Sequence, residues 1–492
     1  GELLMDIIKL IEDFVYFAHQ HLDLNELDMV YARNKLYAEF DAYPSKEVKA
    51  NLSHDVNYFV DAFSQYYVQH KIDPITTNIK IAHLFDLVSP RPSEVNKKFN
   101  ALAKKDIKLA TSYLYELGVN NYYIHKREIM KNVEWIAKFK NAPALEISIN
   151  VSKPEKNNKD IAKLLKVKDS NYPKCVICLE NLGFKGNAKR APRENIRVIP
   201  MKLNNEDWFM QYSPYGYFKE HMILVSKKHE YMQISPRIVK ILFAFLKKIP
   251  HYTITSNSDL PIVGGSILNH EHFQGGNYLF PLQKAKDLFV IKSKKYKKTK
   301  ISFLDFYNTA FRLKGKDEKE IIEIVSLFIK KWKSYTDQSL LITPSHNTIT
   351  PLVRINANHE YEFIMILRNN SVSKQYPDGV YHVHPEYFAI KQEGIGVIEA
   401  CGRFILPARL IRQMKEVDDV VKHHLNEKVY LKKYPDLNKF KVMIDTLKKN
   451  PKMTSKDYIN YVGQNILLNT SVFKKDKNGF DHLKRFINSL DL

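Results

Sequence analysis

The stretch DLPIVGGSILNHEHFQGG, residues 259–276, decides how the rest of this chain is read. His270 and His272 stand two apart, Gln274 follows at the same interval, and the pairs Gly264–Gly265 and Gly275–Gly276 bracket them. In an extended segment, residues i and i+2 share a face, so the three polar side chains would point the same way. An imidazole serves as metal ligand, base or nucleophile near neutral pH. The glutamine amide can donate to a phosphate oxygen without adding charge. Glycine lets backbone approach a ligand closely. An isolated HxH pair is most often a polar strand with surface histidines. The glutamine and the two glycine pairs turn the reading toward phosphate chemistry.

Upstream lies Cys175-Val176-Ile177-Cys178. Thiolates at this spacing can chelate one tetrahedral zinc from a turn, act as a redox pair, or sit as two buried thiols. Only one CxxC is present, so histidines would have to complete a zinc site. His221, His229, His251, His270 and His272 are the candidates.

Around these motifs, from about 171 to 410, short β-like runs appear: HMILVS (221–226), NTITPLVRI (347–355) and EFIMILR (362–368). Gly, Pro and Asn clusters separate them, and helices are expected near 234–248 and 317–334. This is the grammar of an α+β fold with antiparallel strands joined by turns. The first 150 residues read as helical, beginning with Leu4, Ile7, Ile8, Ile11, Phe14, Val15 and Ala18 at the spacing of one buried face. Further helical stretches are expected near 26–40, 55–70, 78–88 and 95–127, and VSKPEKNNKD (151–160) reads as a linker. After 410 the pattern is helical again. His382-Val383-His384-Pro385 echoes His270-Glu271-His272 and hints at a duplicated unit.

The bulk numbers narrow the classes. A chain of 492 residues can bury a substantial core. It carries no run of 18 apolar residues, so no membrane span and no membrane partner is expected. GELLMDIIKLIEDF at the N-terminus lacks a basic n-region, which argues against a signal peptide there. Three cysteines suit a reducing, cytoplasmic setting better than a disulfide framework. The net charge of +22 is mostly lysine spread along the chain. Its one dense run, KSKKYKKTK (292–300), reads as a solvated loop, so no nucleic-acid partner is expected.

The segment 259–276 resembles the signature of the class II, bacterial-type galactose-1-phosphate uridylyltransferases. The resemblance extends through NYPKCVICLENLGF (171–184), APRENIRVIP (191–200) and QYSPYGYFKEHMILVSKKH (211–229). Downstream it covers TPSHNTITPLVR (343–354), RNNSVSKQYPDGVYHVHPE (368–386) and IGVIEACGRFILPARL (395–410). One departure is Asn269, where a small Ser or Ala is expected. The helical flanks are also typical of class II chains, with less specific motifs.

The resemblance implies two tandem histidine-triad-like units. Residues 166–300 would hold the first, with the HxHxQ motif, and 301–412 the second, flanked by helical regions over 1–165 and 413–492. Class I relatives carry His-Pro-His-x-Gln, in which the second histidine is the nucleophile. By that correspondence His272 attacks the α-phosphorus of UDP-glucose, and the uridylyl group then passes to galactose-1-phosphate to give UDP-galactose. Gln274 would stabilise charge on the phosphate oxygens. Gly264, Gly265 and Ser266 would offer backbone and hydroxyl donors. Class I enzymes also place a structural zinc on positions that fall here on Cys175, Cys178, His229 and His270. Glu399 aligns with a glutamate that hydrogen-bonds the hexose, with a surface or structural carboxylate as the alternative. Arg193 and Arg197 fit phosphate on charge grounds, with ordinary surface arginines as the alternative. His382 and His384 resemble a pair tied to a second metal in class I. Its other ligands are not traceable here, so no metal is assigned to them. A homodimer is implied as well, because a second subunit completes the class I site. Two rivals stand beside this reading: another nucleotidylyltransferase or dinucleotide phosphorylase of the same superfamily, and a basic zinc-containing nucleic-acid-binding protein.

Overall fold

The computed structural model describes residues 6–51, 53–152 and 171–492, so the segment 151–160 read as a linker lies, from residue 153 on, outside the described residues. The chain divides into two compact units. Gly1–Met130, Pro154–Gly216 and Glu220–His229 make the first; Lys131–Lys153, Tyr217–Lys219 and Glu230–Leu492 make the second.

In the first unit, helices Ile7–His21, Glu26–Phe40, Val56–Gln69, Pro74–Leu87 and Ile107–Asn120 each begin behind a capping side chain. Asp6, Asn25, Asp55, Asp73 and Asp106 accept the first free N–H groups. The stretch expected over 95–127 is two helices, because Asp106 caps a new one after Pro92–Ala103 ends. The first helix buries Ile11, Phe14, Val15 and Ala18 as its spacing predicts, with Leu10 and Phe17 joining them. Phe14 packs its ring 5.0 Å from Phe59, 5.2 Å from Phe63 and 4.9 Å from Phe85, which ties three helices together.

Strands are numbered along the chain, so β1 (Val133–Ala137) and β2 (Leu145–Asn150) belong to the second unit. Helix therefore gives way to strand before residue 150. β3 (Ile199–Leu203), β4 (Glu206–Tyr212) and β5 (Met222–Ser226) form an antiparallel meander in the first unit. Asn204 (φ 48°) and Asn205 (φ 63°) make the two-residue turn between β3 and β4, the left-handed pair such a hairpin needs.

The second unit carries β6 (Thr253–Thr255), β7 (His272–Gly276), β8 (Asp287–Ile291), β9 (Lys300–Leu304), β10 (Ala310–Gly315), β11 (Asn347–Ile355) and β12 (Tyr361–Asn369). They run in the order β7-β6-β11-β12-β10-β9-β8 with every neighbour antiparallel. Helices Pro236–Lys248 and Glu318–Lys333 pack on this sheet, each burying one apolar stripe. β1, β2 and β13 (Arg403–Pro407) form a second, small sheet in which β2 and β13 are parallel. The C-terminal helices Arg409–Lys422, Lys441–Lys449 and Ser455–Thr470 share one core with it, built on Ile147, Phe404, Val417, Ile444 and Ile466. The architecture is α+β with helical flanks. Lys292–Thr299 joins β8 to β9 as an exposed loop anchored by buried Tyr296 and Thr299, and Lys300 opens β9.

Candidate active site

Strand β7 starts on His272, so His272 and Gln274 alternate onto one face while Phe273 turns into the core. His270 lies just before the strand. Its contribution to His272 comes from the backbone: His272 Nδ1 lies 2.8 Å from the His270 carbonyl oxygen. A carbonyl only accepts, so Nδ1 carries the proton and Nε2 keeps its lone pair. Among the described residues no group bonds Nε2. His272 is only 6% exposed, and burial pushes its pKa down to about 4. It is therefore a neutral imidazole at physiological pH, in the tautomer that keeps a lone pair on Nε2.

The loop before it is shaped by close backbone approach. A Cβ on Gly264 would lie 2.6 Å from the carbonyl oxygens of Ser258 and Leu260, and one on Gly265 would lie 2.5 Å from Asn257 Nδ2. Only glycine fits either place. Ile262, at φ 73°, stands in a left-handed turn closed by Val263 N–H donating to Pro261 O at 2.9 Å. A β-branched residue there is strained. Ser266 is exposed beyond the glycine pair.

Asn257, a residue the sequence reading did not single out, links this loop to a second segment. It is 5% exposed, and its Oδ1 accepts from Val397 N–H at 2.9 Å while its amide nitrogen faces Gly265. Val397 opens the single helical turn Val397–Ala400 that bears Glu399. Glu399 is buried and accepts from Lys391 Nζ at 3.1 Å; Lys391 also donates to Ile405 O. The glycine loop and Asn257 thus abut the turn that carries the Glu399–Lys391 pair. Buried polar residues without a repeat or spacing leave no mark in sequence, which is why Asn257 and Lys391 went unseen.

The arginines separate. Arg193 is half-buried, its guanidinium lying over the Tyr123 ring at 5.8 Å. Arg197 turns inward. Its donors go to Pro90 O, Glu194 O, Ile196 O and the Asp86 carboxylate, 3.0 Å away, so it braces the first unit.

Four other candidates gather. Cys175, Cys178, His229 and His270 each bring one ligand atom within 4.8 Å of the others. The two sulfurs lie 3.4 Å apart, and Cys178 Sγ is 3.2 Å from His229 Nδ1. A tetrahedral zinc with bonds of ~2.1–2.3 Å needs ligand atoms roughly 3.4–3.8 Å apart, so this donor set fits that ion with little adjustment. Asn181 fixes the CxxC turn by donating to the carbonyls of Cys175 and Cys178 at 2.8 and 2.9 Å. Burial and the neighbouring thiol push Cys178 up to about 12, so a thiolate there calls for a bound cation. His384 is used differently, stacked on Tyr376 with ring centroids 3.9 Å apart. Cys401 is fully buried, as a small apolar residue would be.

Known proteins resemble this chain over nearly its full length. The family described as galactose-1-phosphate uridyl transferase, N-terminal domain, matches residues 36–231. A galactose-1-phosphate uridylyltransferase of Caldanaerobacter subterraneus subsp. tengcongensis is 38% identical over 97% of this chain and 96% of its own length. Enzymes of the same name from Staphylococcus carnosus and Lactococcus lactis subsp. lactis are 35% and 36% identical, covering 97% and 98% of this chain and 98% and 99% of their own lengths. No described helix is long and apolar enough to cross a membrane.

Proposed function

Because this chain belongs to the galactose-1-phosphate uridylyltransferase family, we propose that it moves UMP from UDP-glucose to galactose-1-phosphate through a covalent uridylyl-histidine on His272. The observation that carries the mechanism is the His272 ring, buried, neutral, and held by the His270 carbonyl with Nε2 left open. In the first half-reaction Nε2 attacks the α-phosphorus. The bond from phosphorus to the bridging oxygen breaks, and its electron pair leaves with glucose-1-phosphate. In the second, a phosphate oxygen of galactose-1-phosphate attacks the same phosphorus. The P–N bond breaks, UDP-galactose departs, and the pair returns to Nε2. One demanding displacement becomes two milder ones.

Gln274 faces the same side of β7 as His272 and would donate to the non-bridging oxygens. The Gly264–Ser266 backbone and the Ser266 hydroxyl would supply further donors, and Arg193 would meet phosphate. Glu399 would hold the hexose hydroxyls. Arg197 is left out of the substrate contacts because its donors are already engaged. Zinc on Cys175, Cys178, His229 and His270 would be structural, since four protein ligands close its coordination shell. A cytoplasmic enzyme acting as a homodimer completes the proposal, and sedimentation would check the second point.

The test is His272→Gly. The variant should fold and fail to exchange, and uridine 5′-phosphoimidazolide should restore transfer to hexose-1-phosphate by replacing the missing intermediate. Mass spectrometry of the unaltered enzyme with UDP-glucose should show one UMP adduct. A His272→Gly protein that still forms the adduct would rule out His272 as nucleophile.

A further inference from the structure

Glu399 stands at the end of a segment, Gly394–Glu399, that has no regular structure before its last turn. Two glycines, Gly394 and Gly396, flank Ile395, so the backbone there has unusual freedom to lose. Two buried side chains take up both polar groups of Ile395. His382, 4% exposed, accepts the Ile395 N–H on Nε2 at 3.3 Å, and Arg368, 1% exposed, donates from Nη2 to the Ile395 carbonyl at 2.8 Å. Two residues on, Asn257 Oδ1 takes the Val397 N–H.

Neither side chain is explained by its own comfort. Among the described residues, Arg368 has no carboxylate within ion-pair distance, although Glu399 is near enough to interact with its charge. Its Nε finds no partner there, and Nη1 reaches only Thr350 Oγ1 at 3.4 Å. His382 accepts on Nε2, so its proton sits on Nδ1, which also lacks a partner among the described residues. A buried guanidinium and a buried imidazole, each with an unmet polar atom, cost stability. Apolar residues would pack β12 and this loop more cheaply. What the two groups share is the Ile395 backbone.

We propose that Arg368 and His382 are positioning residues, clamping the Ile395 backbone from both sides and so fixing the carboxylate of Glu399 where the hexose binds. This rests on the reading of Glu399 as a hexose contact. His382 here spends Nε2 on the backbone, a use different from metal ligation.

The test compares His382→Leu, His382→Gln, Arg368→Lys, Arg368→Met, Glu399→Gln and the double variant His382→Leu/Glu399→Gln. Each is measured for kcat and KM toward galactose-1-phosphate, with thermal unfolding to confirm folding. His382→Leu should raise KM several-fold more than it lowers kcat. His382→Gln, whose amide oxygen can accept the same N–H, should recover most of the loss, and Arg368→Lys should be milder than Arg368→Met. If Arg368→Met does not fold, Arg368→Lys and the two His382 variants decide. The double variant should be no worse than Glu399→Gln within about two-fold, because both changes act on one contact. Multiplying effects in the double variant, or unchanged KM in His382→Leu, would overturn the clamp. Unchanged kinetics in Glu399→Gln alone would instead remove the premise about Glu399, and the clamp's purpose with it.

Discussion

Replacing Gly264 with alanine tests whether the loop before His272 is shaped for chemistry. The added methyl would lie 2.6 Å from the carbonyl oxygens of both Ser258 and Leu260, and 2.8 Å from Leu268 Cδ2. Leucine can swing aside, but two backbone oxygens cannot do so cheaply. Reaching an ordinary contact of 3.4 Å requires a shift of 0.8 Å on that side. Overpacking of this kind costs about 1–3 kcal/mol. The rate should suffer more, since a displacement near 1 Å in a positioning element costs on the order of 100-fold. In a single-turnover assay with UDP-glucose, adduct formation on His272 should slow by roughly 10- to 100-fold while the protein stays folded. Gly463→Ala is the control. It sits in the helix Ser455–Thr470, its added methyl meets Phe404 and Ile147 no closer than 3.4 Å, and activity should not change. Adduct formation at the wild-type rate in Gly264→Ala would refute the argument that this loop's geometry serves the reaction.

Three further outcomes follow from the same geometry. Cys178→Ser should lower zinc content, from about one per chain, and melting temperature together, because metal-binding energy is folding energy at such a site; emission spectroscopy and calorimetry check it. Arg197→Met should cost about 1–3 kcal/mol of stability by removing the buried guanidinium's hydrogen bonds to the half-buried Asp86 carboxylate and its neighbours, with KM for UDP-glucose unchanged; a raised KM at full stability would restore Arg197 to the substrate site. His382 sets a pH dependence. Burial first, then the charges of Arg368, Lys391 and His384, lower its pKa from 6.5 to about 4. A depressed folded-state pKa gives stability that is present above pH 6.5 and lost as pH falls toward 4, so about 2 kcal/mol should be gone at pH 5. In denaturant titrations at pH 7.5 and 5, the loss in His382→Gln should be smaller than in the unaltered protein by about that amount, buried His272 contributing to what remains.

How much of this was legible in sequence depended on the range of the interactions involved. β11 and β12 were readable because their apolar runs are long and a polar turn, Asn356–Glu360, joins them. The helix at Pro236 was readable from its apolar stripe, and its proline occupies the first turn. The parallel pairing of β2 with β13 was not, because its partners lie some 250 residues apart and neither strand announces the other. Arg197 shows the limit of charge as a signal. Its charge suggests a phosphate contact, whereas Asp86 and Pro90, far away in the chain, turn it inward. Asn257, Lys391 and Arg368 act only through a fold that brings distant loops together.

The two histidines of the opening motif make the last argument, because on the proposed reading His270 would serve two purposes through different atoms. The His270 ring belongs with Cys175, Cys178 and His229, and its carbonyl holds the tautomer of His272. A side-chain substitution removes the first function and leaves the second group in the chain. His270→Ala should therefore lose metal and thermal stability, and its remaining folded fraction should still form the uridylyl adduct, in proportion to that fraction. Uridine 5′-phosphoimidazolide should give it no rescue, since the nucleophile is still present. His272→Gly should show the reverse in each respect: metal retained, adduct absent, transfer rescued. Rescue of His270→Ala with none for His272→Gly would mean that attack and ligation are assigned to the wrong members of the pair.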